Sequence, residues 1–325
     1  MALNKEHLLT LTCLKEIGVK GIGPKKIFSI AQTIEDKGLI VNELDELASV
    51  MNGMKEKVIR SVSLLELTMA RNHAANMYIY QSKELGIDYV GYYDDEFPEA
   101  LRQTINEDGK LDPPLILWYR GDLSITKKPG LAVIGTREAT PEGMAGGEFL
   151  AEQFAQRGFN IVSGLAIGCD TSGHKGALKA NGKTTAILAN GLDYDSIYPT
   201  ENRGLAEQIV EDGGLLLSEY PIGTKVNRYN LVARDRLQAA LAMATLVVQT
   251  GEHGGTMHAA NTTLLANKPL YAVRYKDNAT NSHEKCLGNA LLVKKGAKYI
   301  SGSDDIDKIC DFIKSFKPIK TELFD

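Results

Sequence analysis

The sequence predicts an α/β protein: a doubly wound, mostly parallel sheet preceded by a small all-α domain. Three observations predict it. From residue 131 onward, short runs of Val, Ile, Leu and Ala alternate with amphipathic stretches, and Gly-rich turns lie between them. Strands that are apolar at nearly every position belong to a parallel sheet covered on both faces. Residues 1–85 hold helix-compatible stretches broken by "GVKGIGPKK" and "NGMKEK", with no strand-like alternation. Between the two, residues 86–130 carry four of the ten prolines and the only Trp. Trp118 and Tyr119 have too much apolar surface to be left in water, so 86–130 is expected to be a structured connector packed on the core.

The elements follow in order. "LAVIG" (131–135) reads as a buried strand, and a helix is expected over about 141–157. Thr140 can cap that helix, Pro141 suits its first position and Gly158 its end. "FNIVSG" (159–164) is the second strand, followed by a helix through "HKGALKAN" that ends at Gly182. "TTAILAN" (184–190) is the third strand, a helix spans about 202–212, and "LLLSE" (215–219) is the fourth. A helix through "LVARDRLQAALAMA" leads to the fifth strand, "TLVVQT" (245–250). A helix near 256–267 precedes the sixth, "PLYAVRY" (269–275), and the tail adds "NALLVKKGAKYI" and a last helix, "DIDKICDFIKSF". Strand–helix–strand crossovers of this kind are right-handed.

Composition narrows the class. The chain has 325 residues, 43% hydrophobic and 24% charged, as ordinary globular proteins do. No apolar run approaches the ~20 residues of a membrane span. The first residues lack a basic segment followed by a small-residue cleavage site, so export is not expected. Cys13, Cys169, Cys286 and Cys310 lie far apart and form no CxxC pair, which indicates neither a zinc knuckle nor a disulfide framework. The expectation is a reduced, cytoplasmic protein without a metal or cofactor. A net charge of −4 argues against general coating of nucleic acid but leaves room for a local basic pocket.

"ALKANGKT" (177–184) matches a nucleotide-binding loop letter for letter. Its context is reversed, because a helix precedes it and a strand follows, so the backbone cradle on which the motif depends is missing. Gly182 is expected instead to be the left-handed residue that ends the helix. The anion site is expected beyond the carboxyl ends of the strands. Those ends read "GTRE" (135–138), "SGLAIGCD" (163–170), "NGL" (190–192), "SEYP" (218–221) and "TGEHGGT" (250–256). Gly lets amide N–H groups approach an anion, and the helices that follow add positive partial charge. Arg137 stands two residues past the first strand, where a guanidinium can grip a phosphate with two parallel bonds. Arg234 and Arg236 diverge by about 200° on a helix and cannot share one ligand face there. Both reach the pocket if they lie at the helix start. Otherwise they form a solvated face with salt bridges to Asp235 and its neighbours.

With these residues in view, 86–316 resembles the DprA/Smf family of DNA-processing proteins. The motifs "AVIGTR", "IVSGLAIGCD", "HKGAL", "TTAILANGLDYDSIYP", "GGLLLSEYPIG", "NLVARDRLQAAL", "TLVVQTGEHGGT" and "PLYAV" run in family order, after a lead-in "FPEALRQ...DPPLILWYRGDL". The resemblance implies a Rossmann-like domain over 131–325 that binds single-stranded DNA in a positively charged pocket, dimerises and hands the strand to the RecA recombinase. By motif, the pocket would include Gly135, Thr136, Arg137, Ser163, Gly164, Leu165, Lys175, Asn230, Arg234, Arg236, Gly254, Gly255 and Thr256. Departures are Asp235 and the Leu231-Val232 pair where the family has Asn and Phe-Pro, Cys169 for Ile, and Arg274-Tyr275 where Pro-Gly follows the strand. The winged-helix domain of many members is not expected. "EIGVKGIGPKKIFSI" (16–30) resembles a helix-hairpin-helix, in which Gly21, Gly23, Lys25 and Lys26 would hold one DNA phosphate.

Two rivals stand beside this expectation. One is a nucleotide-binding or nucleotide-hydrolysing enzyme, or a sensor of nucleotide-derived ligands. Such hydrolases carry Pro-Gly-Gly-x-Gly-Thr-x-x-Glu, and "GEHGGTMHAA" lacks the glutamate. Cys169, Asp170 and His174 have no visible orienting partner, and a capping or packing role for Asp170 is favoured. His253 and His258 are five apart, not the four that set two metal ligands on one helix face. Glu219 is expected to hold an arginine in place. The other rival is a protein-interaction module with a vestigial pocket. Aromatic residues make up only 7% of the chain, with Tyr220 and Tyr229 the nearest to the pocket, and this leaves few stacking platforms.

Overall fold

The structure, a computed structural model, describes residues 3–54 and 61–317. The break expected at "NGMKEK" therefore falls partly outside the described residues. The chain divides into two compact units: 1–97 with 115–118, and 98–114 with 119–325. Residues 86–130, assigned above to a connector, are shared between them.

The first unit is built from α1 (Lys5–Cys13), α2 (Pro24–Asp36), α3 (Leu44–Gly53), α4 (Leu64–Ala74), α5 (Tyr80–Glu84) and β1 (Asp88–Gly91). A π turn, Ala75–Ile79, joins α4 to α5. The helix starts are set locally. Asn4 caps α1 by accepting the His7 N–H at 2.8 Å, and Ser63 with Glu66 forms a capping box on α4. Between α1 and α2 the chain turns through Gly18 and Gly21, at φ +90° and +89°, and Pro24 opens α2. This is a glycine-turned helical hairpin. Beyond β1, the Tyr92 N–H donates to Leu115 O at 2.9 Å. That contact brings in the first half of β2 (Ile116–Gly121), where Trp118 is 1% exposed and lies 5.1 Å from the Tyr89 ring.

The second unit opens with α6 (Glu99–Arg102) and continues through β3 (Gly130–Ile134), α7 (Pro141–Gln156), β4 (Asn160–Ser163), α8 (Cys169–Lys179), β5 (Lys183–Leu188), α9 (Arg203–Glu211) and β6 (Leu215–Ser218). It closes with α10 (Arg228–Leu241), β7 (Ala244–Val247), α11 (Gly255–Leu265), β8 (Leu270–Val273), α12 (Asn278–Asn281), α13 (Leu287–Lys294), β9 (Lys298–Ile300) and α14 (Ile306–Ser315). Seven of its strands lie in the order β6-β5-β4-β3-β7-β8-β9, each pair parallel. All five residues of β3 are buried, and the strand's two faces feed different cores. Leu131 and Val133 pack with Leu150, Phe154 and Ile313, whereas Ala132 and Ile134 pack with Met257, Ala260 and Leu292. This is the period-2 alternation of a strand covered on both sides. The mostly parallel Rossmann-like sheet is thus the fold the sequence predicts.

The chain winds outward from β3 to β6, then crosses back to place β7 on the other side of β3. The loops after β3 and β7 leave the sheet there in opposite directions and open a crevice at the topological switch point.

Three expectations need correction. The helix placed at "HKGALKAN" starts at Cys169, five residues before His174. The left-handed residue after it is Asn181, at φ +50°, not Gly182. Gly182 is needed for space, since a Cβ there would sit 2.8 Å from the Ala155 Cβ. The segment "KYI" adds a strand, β9, that was not expected. The lysine of "GKT" opens β5, and its Nζ donates to Asp212 O at 3.0 Å, consistent with the reversed context of that motif.

Candidate nucleic-acid interface

A cavity of about 490 Å³ fills the switch-point crevice. Its floor is backbone held to backbone. The Thr136 N–H donates to Gln249 O at 2.7 Å, and the Cys169 N–H donates to Thr136 O at 3.1 Å. Side chains are excluded where these loops meet: a Cβ on Gly135 would run into Cys169 Sγ, and one on Gly168 would lie 2.6 Å from Arg137 O. Gly168 also sits at φ +81°, where glycine alone is unstrained. The Gln249 side chain ties the floor to α7, accepting the Thr140 N–H at 3.0 Å.

One wall is the start of α11. Gly254 precedes it at φ +121° and ψ −179°, a conformation essentially confined to glycine. The Gly255 and Thr256 N–H groups have no acceptor among the described residues. Unsatisfied amides and the positive end of the helix dipole there favour an anion.

Four cationic side chains line the cavity: Arg137, Arg228, Arg234 and Lys285. Arg137 is exposed and makes no hydrogen bond or ion pair with any described residue. The other three are engaged. Lys285 Nζ lies 2.5 Å from Glu138 Oε2, which raises the lysine pKa and lowers that of the carboxylate. Arg228 donates to the Tyr229 hydroxyl at 2.8 Å and sits over that ring. Arg234 is only 5% exposed; it donates to Gly164 O at 2.8 Å, to Ile187 O and to Asp235 Oδ1 at 3.0 Å. Asp235 and Asp170 bring carboxyls to the same cavity, and burial pushes both of their pKa values up against the pull of Arg234.

The residues named from the sequence are therefore dispersed. Gly135, Thr136, Arg137, Arg234, Gly254, Gly255 and Thr256 come together around the cavity. Ser163 does not, because its hydroxyl is buried in the sheet and donates to Val133 O at 2.6 Å. The Gly164 N–H is taken by Asp170 Oδ2 at 3.0 Å. Leu165 stands at φ +63° with its side chain fully buried, and its carbonyl accepts from Asn202 Nδ2 at 2.8 Å. Lys175 is exposed on α8 and Asn230 lies in the first turn of α10; neither lines the cavity. Arg236 turns away to Glu219, with two parallel bonds of 2.6 and 2.8 Å, and to Asp112 at 2.9 Å. Burial works against its charge, but the two carboxylates more than offset it and raise its pKa. Glu219 thus holds an arginine, as expected. Lys285 and Arg228 line the cavity without having been singled out, and His253, weighed above only as a metal ligand, lines it too. They stand in irregular stretches or at a helix start, where sequence spacing says nothing about which side chains meet. In the hairpin of the first unit, Gly21, Gly23 and Lys25 are exposed and Lys26 is half-buried.

The Cys169–Asp170–His174 cluster has internal partners. Burial pushes the Cys169 thiol up to about 12, which keeps it protonated. His174 is fully buried, bonds Thr184 Oγ1 at 2.7 Å, and burial lowers its pKa to about 3. Asp170 Oδ2 holds the loop after β4 by accepting the Gly164 and Ala166 N–H groups, the packing role favoured above. Among the described residues, no group of three His, Cys, Asp or Glu could hold a metal ion, and no helix is long and apolar enough to cross a membrane.

Fold and site define a Rossmann-like α/β domain with a crevice at its switch point lined by cations and carboxylates. The family of DNA recombination-mediator protein A matches residues 88–312, and the chain belongs to that family. It is 30% identical to the protein Smf of Synechocystis over 299 residues, covering 89% of this chain and 69% of that protein. It is 30% identical to DNA processing protein DprA of Bacillus subtilis, covering 69% of this chain and 71% of that one. Among solved structures, DprA of Streptococcus pneumoniae shares the fold, with a TM-score of 0.69 at 24% identity over 95% of this chain and 98% of that chain. DprA of Helicobacter pylori, solved for its single-stranded DNA binding mode, has a TM-score of 0.58 at 29% identity over 71% of this chain and 98% of that chain.

Proposed function

We propose that this chain binds single-stranded DNA non-enzymatically through the switch-point crevice, gripping mainly the sugar-phosphate backbone. The observation that carries this reading is Arg137: an exposed guanidinium with no hydrogen bond or ion pair to a described residue, its charge felt by Asp235, on the same cavity as the unsatisfied amides of Gly255 and Thr256. Charge-assisted bonds from a guanidinium and from a helix start are what a phosphate diester accepts. Family membership and the strand-binding Helicobacter pylori relative support the same reading. Contacts confined to phosphates give little sequence preference. Arg234 and Arg236 enter as supports of the crevice, since carbonyls and carboxylates already occupy their donors.

Protection of the strand, its transfer to a RecA-type recombinase and assembly as a homodimer belong to the same proposal on the family resemblance, as does a secondary contact by the hairpin. The test is a binding titration over salt concentration. Arg137→Ala is expected to weaken single-strand binding and to reduce the slope of log K against log salt by about 0.7, because one phosphate is no longer neutralised. Unchanged binding and slope would remove Arg137 from the interface. Incubation with nucleoside mono- and triphosphates tests the nucleotide hydrolase, for which steady release of base or phosphate would decide. Light scattering on the same sample reads the oligomeric state.

A further inference from the structure

A second, smaller cavity of about 180 Å³ opens beside the crevice and shares Arg137, Ala166, Leu231 and Arg234 with it. Its other walls are Gly164, Ile167, Tyr198, Pro199, Thr200 and Glu201, so one rim carries a hydroxyl and a carboxylate and the rest is apolar. Tyr198 and Ile167, 41% and 42% exposed, present apolar surface to it together with Leu231. The Tyr198 hydroxyl has no hydrogen-bond partner among the described residues, so no bond pins the ring. The aromatics expected nearest the pocket do not serve. Tyr229 is bound to Arg228, and Tyr220 lines neither cavity.

We propose that this side cavity is a nucleobase subsite, in which one unstacked base of the bound strand lies against Tyr198 while Arg137 holds its phosphate. The inference rests on the strand-binding function proposed above. A base leaving its neighbours in a single strand loses stacking, and an aromatic face with aliphatic walls restores it. The position fits, because Arg137 borders both cavities, so a phosphate at its guanidinium leaves the attached base within one sugar of Tyr198. Every base has a π-face, so the subsite accepts all four.

The test compares wild type, Tyr198→Ala and Tyr198→Phe on two strands of equal length: an ordinary oligonucleotide, and one whose sugars carry no bases. Tyr198→Ala is expected to weaken binding of the ordinary strand roughly tenfold or more, the effect of removing one base–aromatic stack. It should leave the salt slope and the affinity for the base-free strand unchanged, and Tyr198→Phe should bind as wild type does. Wild-type affinity in Tyr198→Ala for the ordinary strand, or an equal drop on both strands, overturns the subsite. Failure of the wild type to bind either strand overturns the strand-binding function on which it rests. An unchanged melting temperature shows that the variants are folded.

Discussion

Asp170 shows how a single side chain couples this site to pH. It is 6% exposed, accepts two backbone N–H groups, and burial raises its pKa from 3.8 to about 6 while the Arg234 charge opposes the rise. In the unfolded chain it ionises at the ordinary value, so between the two values folding takes up a proton. Its contribution to stability is therefore fullest below pH 4, falls as pH rises towards 6 and is flat above. Asp170→Asn, whose side-chain carbonyl still accepts both amides, has no such dependence. In urea denaturation the variant should gain on wild type by at most about 3 kcal/mol between pH 4 and pH 6.5, the free energy of a shift of about two units. A constant difference across that range would show that Asp170 ionises as it does in the unfolded chain. At this scale the sequence was legible where no remote partner binds the residue: Arg137 stands three places past the end of β3 and makes no hydrogen bond or ion pair with a described residue. It was illegible where partners are remote. Arg234 and Arg236 look equivalent in "RDR", yet one is buried under Gly164 and the other is forked onto Glu219, 17 residues earlier in the chain.

Elements hold the site through a residue that no motif marked. Asn289, on α13, accepts the Thr250 N–H at 3.0 Å and donates to Val248 O and Val273 O at 2.9 and 3.0 Å. It thereby clamps the ends of β7 and β8 and fixes the loop that carries Gly254 to the start of α11. Asn289→Ala would take the side-chain partner from the buried Thr250 N–H and Val273 O at once, while Val248 O keeps the Tyr275 hydroxyl at 3.1 Å. The loss of stability should exceed the ~1–3 kcal/mol of a single unsatisfied group, and single-strand affinity should fall with it as the loop loosens. Wild-type stability in chemical denaturation would show that water or a local shift replaces the clamp. The parallel strands could be read from sequence because each is an uninterrupted apolar run between turn residues. β9 could not, since Lys298 and Tyr299 are both exposed and only Ile300 is buried. The start of α8 was misplaced for a related reason. "CDTSG" reads as loop chemistry, yet Cys169, Thr171, Ser172 and Gly173 are small residues that let the helix pack closely on its neighbours: a Cβ on Gly173 would touch Val133 at 3.0 Å, and Ser172 bonds back to Cys169 O at 2.7 Å.

For the whole molecule, the balance between an acidic total and a local cationic crevice sets the last prediction. The net charge of −4 repels a polyanion at long range, so affinity has to come from short contacts inside the cavity. Arg137, Arg228 and Lys285 are its accessible cations, and Glu138 must release Lys285 before a phosphate can take its place. Three phosphate contacts at about 0.7 each give a slope of log K against log salt near −2 on single strands, so a fourfold rise in salt should weaken binding roughly fifteenfold. Glu138→Gln should tighten binding at every salt concentration, because Lys285 then keeps only its longer contact to Glu284, at 3.4 Å. A slope of about −5 or steeper would mean that strand is held outside the crevice. The hairpin lysines Lys25 and Lys26 would then be the first cations to reverse. If their reversal restored the shallow slope, the helical unit would be a second DNA-binding surface; if it did not, the three-cation crevice would be too small an account of the interface.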